Sequence, residues 1–190
     1  MAKYKDIFDA VKNGGTLEDV RHFVEQEGAD VNGIDSSVNR SVTELAFVFS
    51  KNPELIKYLV SQGADIESHL IFDAIDLPSG SLEIVKLFVE QEGIDVDHRD
   101  SGMFPLLLAA GGNNLEVAQY LVSKGADITM RSGAGLTALE LAQNKGHAEM
   151  VAFLSAQKKK PPIKAIVKTV LIVIGVALFL GACGACLGIF

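Results

Sequence analysis

The sequence predicts an all-α repeat: a solenoid of helix-turn-helix units joined by β-turns, followed by a single C-terminal transmembrane helix. Three observations predict it. The tag Gly28-Ala29-Asp30 recurs as Gly63-Ala64-Asp65, Gly93-Ile94-Asp95 and Gly125-Ala126-Asp127, with starts 35, 30 and 32 residues apart. A period of that size marks a stacked array. Before each tag the apolar residues fall three and four apart, which puts them on one face of a helix. Finally, Thr169 to Phe190 contains no charged residue.

The units follow in order. The first, near 3–32, reads as a cap: Ile7, Phe8 and Val11 face inward, while Lys5, Asp6, Asp9 and Lys12 stay in water. A terminal repeat needs such a polar outer face. Its second helix carries the stripe Leu17, Val20, Phe23, Val24. The second unit, near 36–67, opens at Thr43-Glu44-Leu45-Ala46, and its helix pair reads one residue short; its stripe is Ile56, Leu59, Val60. The third, near 68–97, opens loosely at His69-Leu70-Ile71-Phe72-Asp73-Ala74. An extra loop follows at Asp76-Leu77-Pro78-Ser79-Gly80, then the stripe Leu82, Val85, Phe88, Val89. The fourth, near 102–131, has Phe104-Pro105-Leu106-Leu107-Leu108-Ala109-Ala110 and then Leu115, Ala118, Leu121, Val122. The fifth, near 133–157, has Thr137-Ala138-Leu139-Glu140-Leu141-Ala142 and then Gly146-His147-Ala148-Glu149-Met150-Val151. Proline suits a first helical turn, and threonine caps it. Each tag ends a helix, because glycine accepts the left-handed conformation there and aspartate suits the turn beyond.

The units also echo one another. Phe23-Val24-Glu25-Gln26-Glu27-Gly28 recurs as Phe88-Val89-Glu90-Gln91-Glu92-Gly93, and Tyr58-Leu59-Val60-Ser61 recurs as Tyr120-Leu121-Val122-Ser123. Taken together, residues 1–157 resemble the ankyrin repeat, whose unit is a β-turn plus two antiparallel helices with a Thr-Pro-Leu-His opening and a Gly-Ala-Asp close. No unit here carries the full opening. The resemblance implies a protein-binding scaffold or adaptor, not an enzyme. Contacts would come from the turn tips and the concave face of the short helices. The candidate tip residues are Asn39 and Arg40; Glu67 and His69; His98, Arg99 and Asp100; and Met130 and Arg131. His147 falls at the family's structural Gly-His position.

Charge divides the chain. Residues 1–157 hold 12 basic and 24 acidic residues, a formal −12, and the five lysines from 158 onward carry +5. An acidic head repels nucleic acid, whose binding needs clustered Lys and Arg. It favours a basic protein partner in the encounter step. Residues 158–168 read as a stiff basic linker around Pro161-Pro162. Residues 169–190 are 22 uncharged residues, about 33 Å as a helix, which matches the roughly 30 Å hydrocarbon core. Lysines on the head side place the repeat domain in the cytoplasm. The expected localisation is a single-pass, tail-anchored membrane protein that contacts lipid through residues 169–190. Small residues Ala177, Gly181 and Ala185, four apart, suit pairing of two such tails into a homodimer. Two other classes share this composition: a microbial effector aimed at host membranes, and a soluble inhibitor of an enzyme or transcription factor with the tail buried in the complex.

Features that resemble chemistry dissolve in context. Cys183 and Cys186 have redox spacing but sit in an apolar segment, where thiols stay neutral. Gly133-Ala134-Gly135-Leu136-Thr137-Ala138 mimics a dinucleotide fingerprint without the strand that loop requires, so no cofactor is implied. The four histidines lack metal-ligand spacing. Asn39-Arg40-Ser41 is a glycosylation sequon that stays silent on a cytoplasmic domain.

Overall fold

The computed structural model describes residues 3–77 and 81–158. Five helix pairs stack in chain order: α1 (Ile7–Lys12) with α2 (Leu17–Glu25), α3 (Val42–Leu45) with α4 (Pro53–Ser61), α5 (Leu70–Ile75) with α6 (Ser81–Glu90), α7 (Pro105–Gly111) with α8 (Leu115–Ser123), and α9 (Ala138–Lys145) with α10 (Ala148–Lys158). One small hairpin, β1 (Ile34–Asp35) and β2 (Arg40–Ser41), joins the first two pairs.

The tags do what their glycines predict. Gly28, Gly63, Gly93 and Gly125 all have positive φ, between 68° and 94°. The amide after each glycine folds back on the helix it ends: Ala29 onto the Phe23 carbonyl at 2.9 Å, Ala64 onto Leu59 at 3.0 Å, Ile94 onto Phe88 at 3.1 Å and Ala126 onto Leu121 at 3.0 Å. Carbonyls left open by the helix end are thereby satisfied. The stripes interlock into one core that runs from Tyr4 to Leu154. At its centre Phe88 is fully buried and meets Phe47 edge-on at 6.0 Å.

The second pair departs from the sequence expectation. Its cap is Ser41, not Thr43: the Ser41 hydroxyl accepts from the Glu44 amide at 3.2 Å, and the Glu44 carboxylate accepts from the Ser41 amide at 2.8 Å. This reciprocal box fixes the register. Thr43 is buried instead, with its hydroxyl unpartnered. Counted from the true cap, the pair is long rather than short. Ten positions separate Ser41 from the left-handed Lys51, against nine from Phe104 to Asn113 and nine from Thr137 to Gly146. The extra residue is absorbed by a π turn over Ala46–Ser50 that continues α3. Such turns take up an insertion without breaking the helix.

The third pair opens as expected, without a side-chain cap at His69. Gly146-His147 is structural: the His147 Nε2 lies 3.2 Å from the Gly111 carbonyl of the preceding pair. Lys158 closes α10. The rest of the linker, the helix expected over 169–190, its small-residue stripe and Cys183 and Cys186 lie outside the described residues. Among the described residues no helix is long and apolar enough to cross a membrane.

Candidate protein-binding site

The structure holds the turn tips in different ways. At the first, Asp35 is a knot. Its carboxylate accepts from Lys12 Nζ at 2.5 Å, from the Ser37 amide at 2.8 Å and from the Ser37 hydroxyl at 2.6 Å. The Lys12 ammonium and then the Ser37 donors hold this carboxyl well below the usual range. The knot presents an exposed turn in which Asn39 has φ 52° and Arg40 points to solvent beside Ile34 and Val38.

The second tip forms no hairpin among the described residues. Glu67 is exposed, and His69 is half-buried with Nδ1 3.2 Å from Glu67 and Nε2 3.9 Å from Glu44. At the third, Asp100 and Met103 form a two-way bridge, with the Met103 amide 2.7 Å from the Asp100 carbonyl. Asp100 and Arg99 are exposed, and the Arg99 guanidinium donates to the Arg131 carbonyl at 2.7 Å. His98 is half-buried and packs on the Phe72 ring at 5.8 Å, so its ring supports the tip. At the fourth, Met130 packs on the core while Arg131 is exposed, donating to the Gly135 carbonyl and to Glu140 at 3.2 Å. The Gly133–Thr137 segment is the turn that enters α9.

Between the third and fourth tips lies an apolar cleft of about 420 Å³, with Met103, Leu107 and Leu141 on its walls. Its floor is a glycine contact: a Cβ on Gly102 would lie 2.9 Å from the Gly133 Cα. Gly102 is required for so close an approach, because only a residue without a Cβ fits there.

The sequence reading missed the most exposed apolar side chains near the short helices. In the π turn, Val48 is 44% and Phe49 52% exposed. Val48 stands one helical turn beyond Glu44, and Phe49 follows it. Asp73 and Asp76, both exposed, follow at α5 and its end. Although Asp73 reaches solvent, desolvation by its packed surroundings pushes its carboxyl up, and the fields of Asp76 and Glu44 add to it against His69 and Arg40. The corresponding stretch of the fourth pair carries Gly111 and Gly112, and that of the fifth Asn144 and Lys145. The run Phe47-Val48-Phe49 carried no clear signal, since successive apolar residues are buried elsewhere in the stack, as at Tyr58-Leu59-Val60. Among the described residues no cluster of His, Cys, Asp and Glu is placed to hold a metal ion.

Comparison with known proteins agrees with this architecture. The sequence model of the ankyrin repeats, in three copies, matches residues 70–165, just over half the chain. The chain is similar to alpha-latrocrustotoxin-Lt1a of Latrodectus tredecimguttatus (31% identity over 144 residues, covering 73% of this chain and 10% of the toxin). It is similar also to a putative ankyrin repeat protein of Rickettsia bellii, strain RML369-C (34% over 107 residues, covering 50% of this chain and 64% of that protein). A third relative is the ankyrin repeat and KH domain-containing protein mask-1 of Caenorhabditis elegans (31% over 118 residues, covering 58% of this chain and 4% of that protein). The chain thus spans a tenth of the toxin and less than two thirds of the Rickettsia protein. A stack of this kind is a protein–protein interaction module, and the chain belongs to the ankyrin repeat family.

Proposed function

We propose that this chain is a membrane-anchored adaptor. Its stack binds a protein through the tips and the short-helix face of the second and third pairs, and residues 169–190 hold it in a bilayer with the stack on the cytoplasmic side. The observation that carries the binding reading is the exposed Val48–Phe49 pair, which follows Glu44 in the same short helix and precedes the exposed Asp73 and Asp76 of the next pair. An exposed apolar pair in units that also carry exposed carboxylates fits a partner segment that has an apolar side chain flanked by Lys or Arg. Support for the anchor comes from the five lysines followed by 22 uncharged residues.

Two experiments test the two halves separately. The Val48→Ser/Phe49→Ser variant removes exposed carbon, so its thermal midpoint stays within a few degrees of the parent. Its capture of the partner should fall at least tenfold; undiminished capture rejects this surface. Carbonate extraction of full-length protein tests the anchor, and release into the supernatant rejects it. Protease on intact vesicles should digest the stack from outside. Asn39 is exposed in its sequon, so glycan attachment in microsomes would place the stack on the opposite side and reverse the orientation.

A further inference from the structure

Hydrogen bonds link most neighbouring pairs, and the first and third junctions share one pattern. From the first pair to the second, the Asn32 side chain accepts from the Asp65 amide at 2.7 Å and donates to the Gly63 carbonyl at 3.1 Å. The Tyr58 hydroxyl donates to Glu25 at 3.2 Å. From the third pair to the fourth, the same pattern returns. The Asp97 carboxylate accepts from the Asp127 amide at 2.8 Å, and the Tyr120 hydroxyl donates to Glu90 at 3.3 Å. From the fourth to the fifth, the Gly133 amide donates to the Gly102 carbonyl at 3.1 Å, and Lys145 donates to the Gly111 carbonyl at 3.1 Å.

The junction between the second and third pairs lacks this pattern. Glu67 stands four residues after its tag glycine, where Asn32 and Asp97 stand after theirs, but its carboxylate faces His69 and not the Asp95 amide. Ser61 occupies the place of Glu25 and Glu90, and Leu87 the place of Tyr58 and Tyr120. Apart from the local turn bond of the Leu70 amide to the Glu67 carbonyl at 2.9 Å, no hydrogen bond to a backbone atom crosses this junction among the described residues. It is held by the Phe47–Phe88 contact, by Lys57 reaching Glu83, and by the 3.9 Å approach of His69 to Glu44.

In a linear stack, stability is a sum of unit terms and nearest-neighbour terms, so the weakest junction decides where cooperation ends. Apolar contact is non-directional and tolerates a change of angle, whereas a backbone-directed bond does not. We infer that this stack is jointed: the first two pairs form one cooperative block, the last three form another, and the stack bends and opens between them. The joint lies between the pair that carries Val48 and Phe49 and the pair that carries Asp73. Its existence does not depend on what that face binds.

Hydrogen exchange of the full-length protein in mild detergent, read by mass spectrometry, tests this. The expected profile is a step: α2 and α4 share one protection level, α6 and α8 share another at least tenfold higher, and the change falls within residues 61–81. A single level throughout, or a smooth gradient from the N-terminus, overturns the joint. The variant Ser61→Glu/Glu67→Asn/Leu87→Tyr copies the neighbouring bonds onto the junction and should shrink the step at least tenfold. Glu67→Asn alone, at an exposed position that does not endanger folding, should shrink it partially. A step unchanged in both variants contradicts the assigned cause.

Discussion

Single residues in this protein act across a distance of one unit. Tyr120 is the clearest case. Burial first, then the nearby Glu90 charge and the hydrogen bond to it, push its hydroxyl up to about 12. The folded chain therefore keeps the proton where the unfolded chain, titrating near 10, releases it. The contribution is fully present below pH 10 and is lost as the pH rises toward 12. Tyr120→Phe should cost about 1 kcal/mol at pH 7, and the gap to the parent should close by about pH 12; urea unfolding across that range checks it. A charged partner survives in the variant, since Lys124 lies 2.8 Å from Glu90. Asp35 has the opposite sign. Its lowered carboxyl stabilises the fold above about pH 4 and ceases to do so as acid protonates it. In the core, Phe88→Ala should cost about 3–5 kcal/mol, because it removes a fully buried ring from the contact with Phe47. The tyrosines were visible in the sequence as echoes of each other, and so were Glu25 and Glu90. Their pairing was not, because a partner 30 or 33 residues away becomes a neighbour only once the stack exists.

At the scale of elements, local rules accounted for every helix except one. The tag glycines, the proline that opens α7 and the threonine that caps α9 were legible because each acts on its own helix end. The second pair offers two hydroxyls, Ser41 and Thr43, and the helix opens at Ser41, two residues before the Thr43 opening that the sequence suggests. The deciding signal was the glutamate three residues after Ser41, which completes a capping box. Ser41→Ala should therefore cost about 1 kcal/mol, and Thr43→Ala much less, since the Thr43 hydroxyl has no partner to lose. The π turn makes a stronger prediction. Deleting Val48 restores the nine-position spacing of the fourth and fifth pairs, so the shortened chain should fold with helical circular dichroism and a cooperative melt like the parent. Deleting Leu107, in a helix with no residue to spare, should abolish the melt.

For the whole molecule, the acidic head, the open edge of tips and the Val48–Phe49 face combine into one account of binding. A formal −12 over residues 1–157 draws a basic partner, so association should slow as salt rises to about 0.5 M while dissociation changes little. The stacked fold and the tips were legible in the sequence because they repeat. The Val48–Phe49 face was not, because it arises from a one-residue departure from the repeat. The most direct test of this account is site-specific photo-crosslinking of the full-length protein in its own membrane. A photoreactive residue would replace Phe49 or Arg99, or, on the exposed side of α8, Gln119. The account predicts one shared protein adduct from Phe49 and Arg99 and none from Gln119. An adduct from Gln119 alone would contradict it, since recognition would then run along the long helices and not the tips and short-helix face.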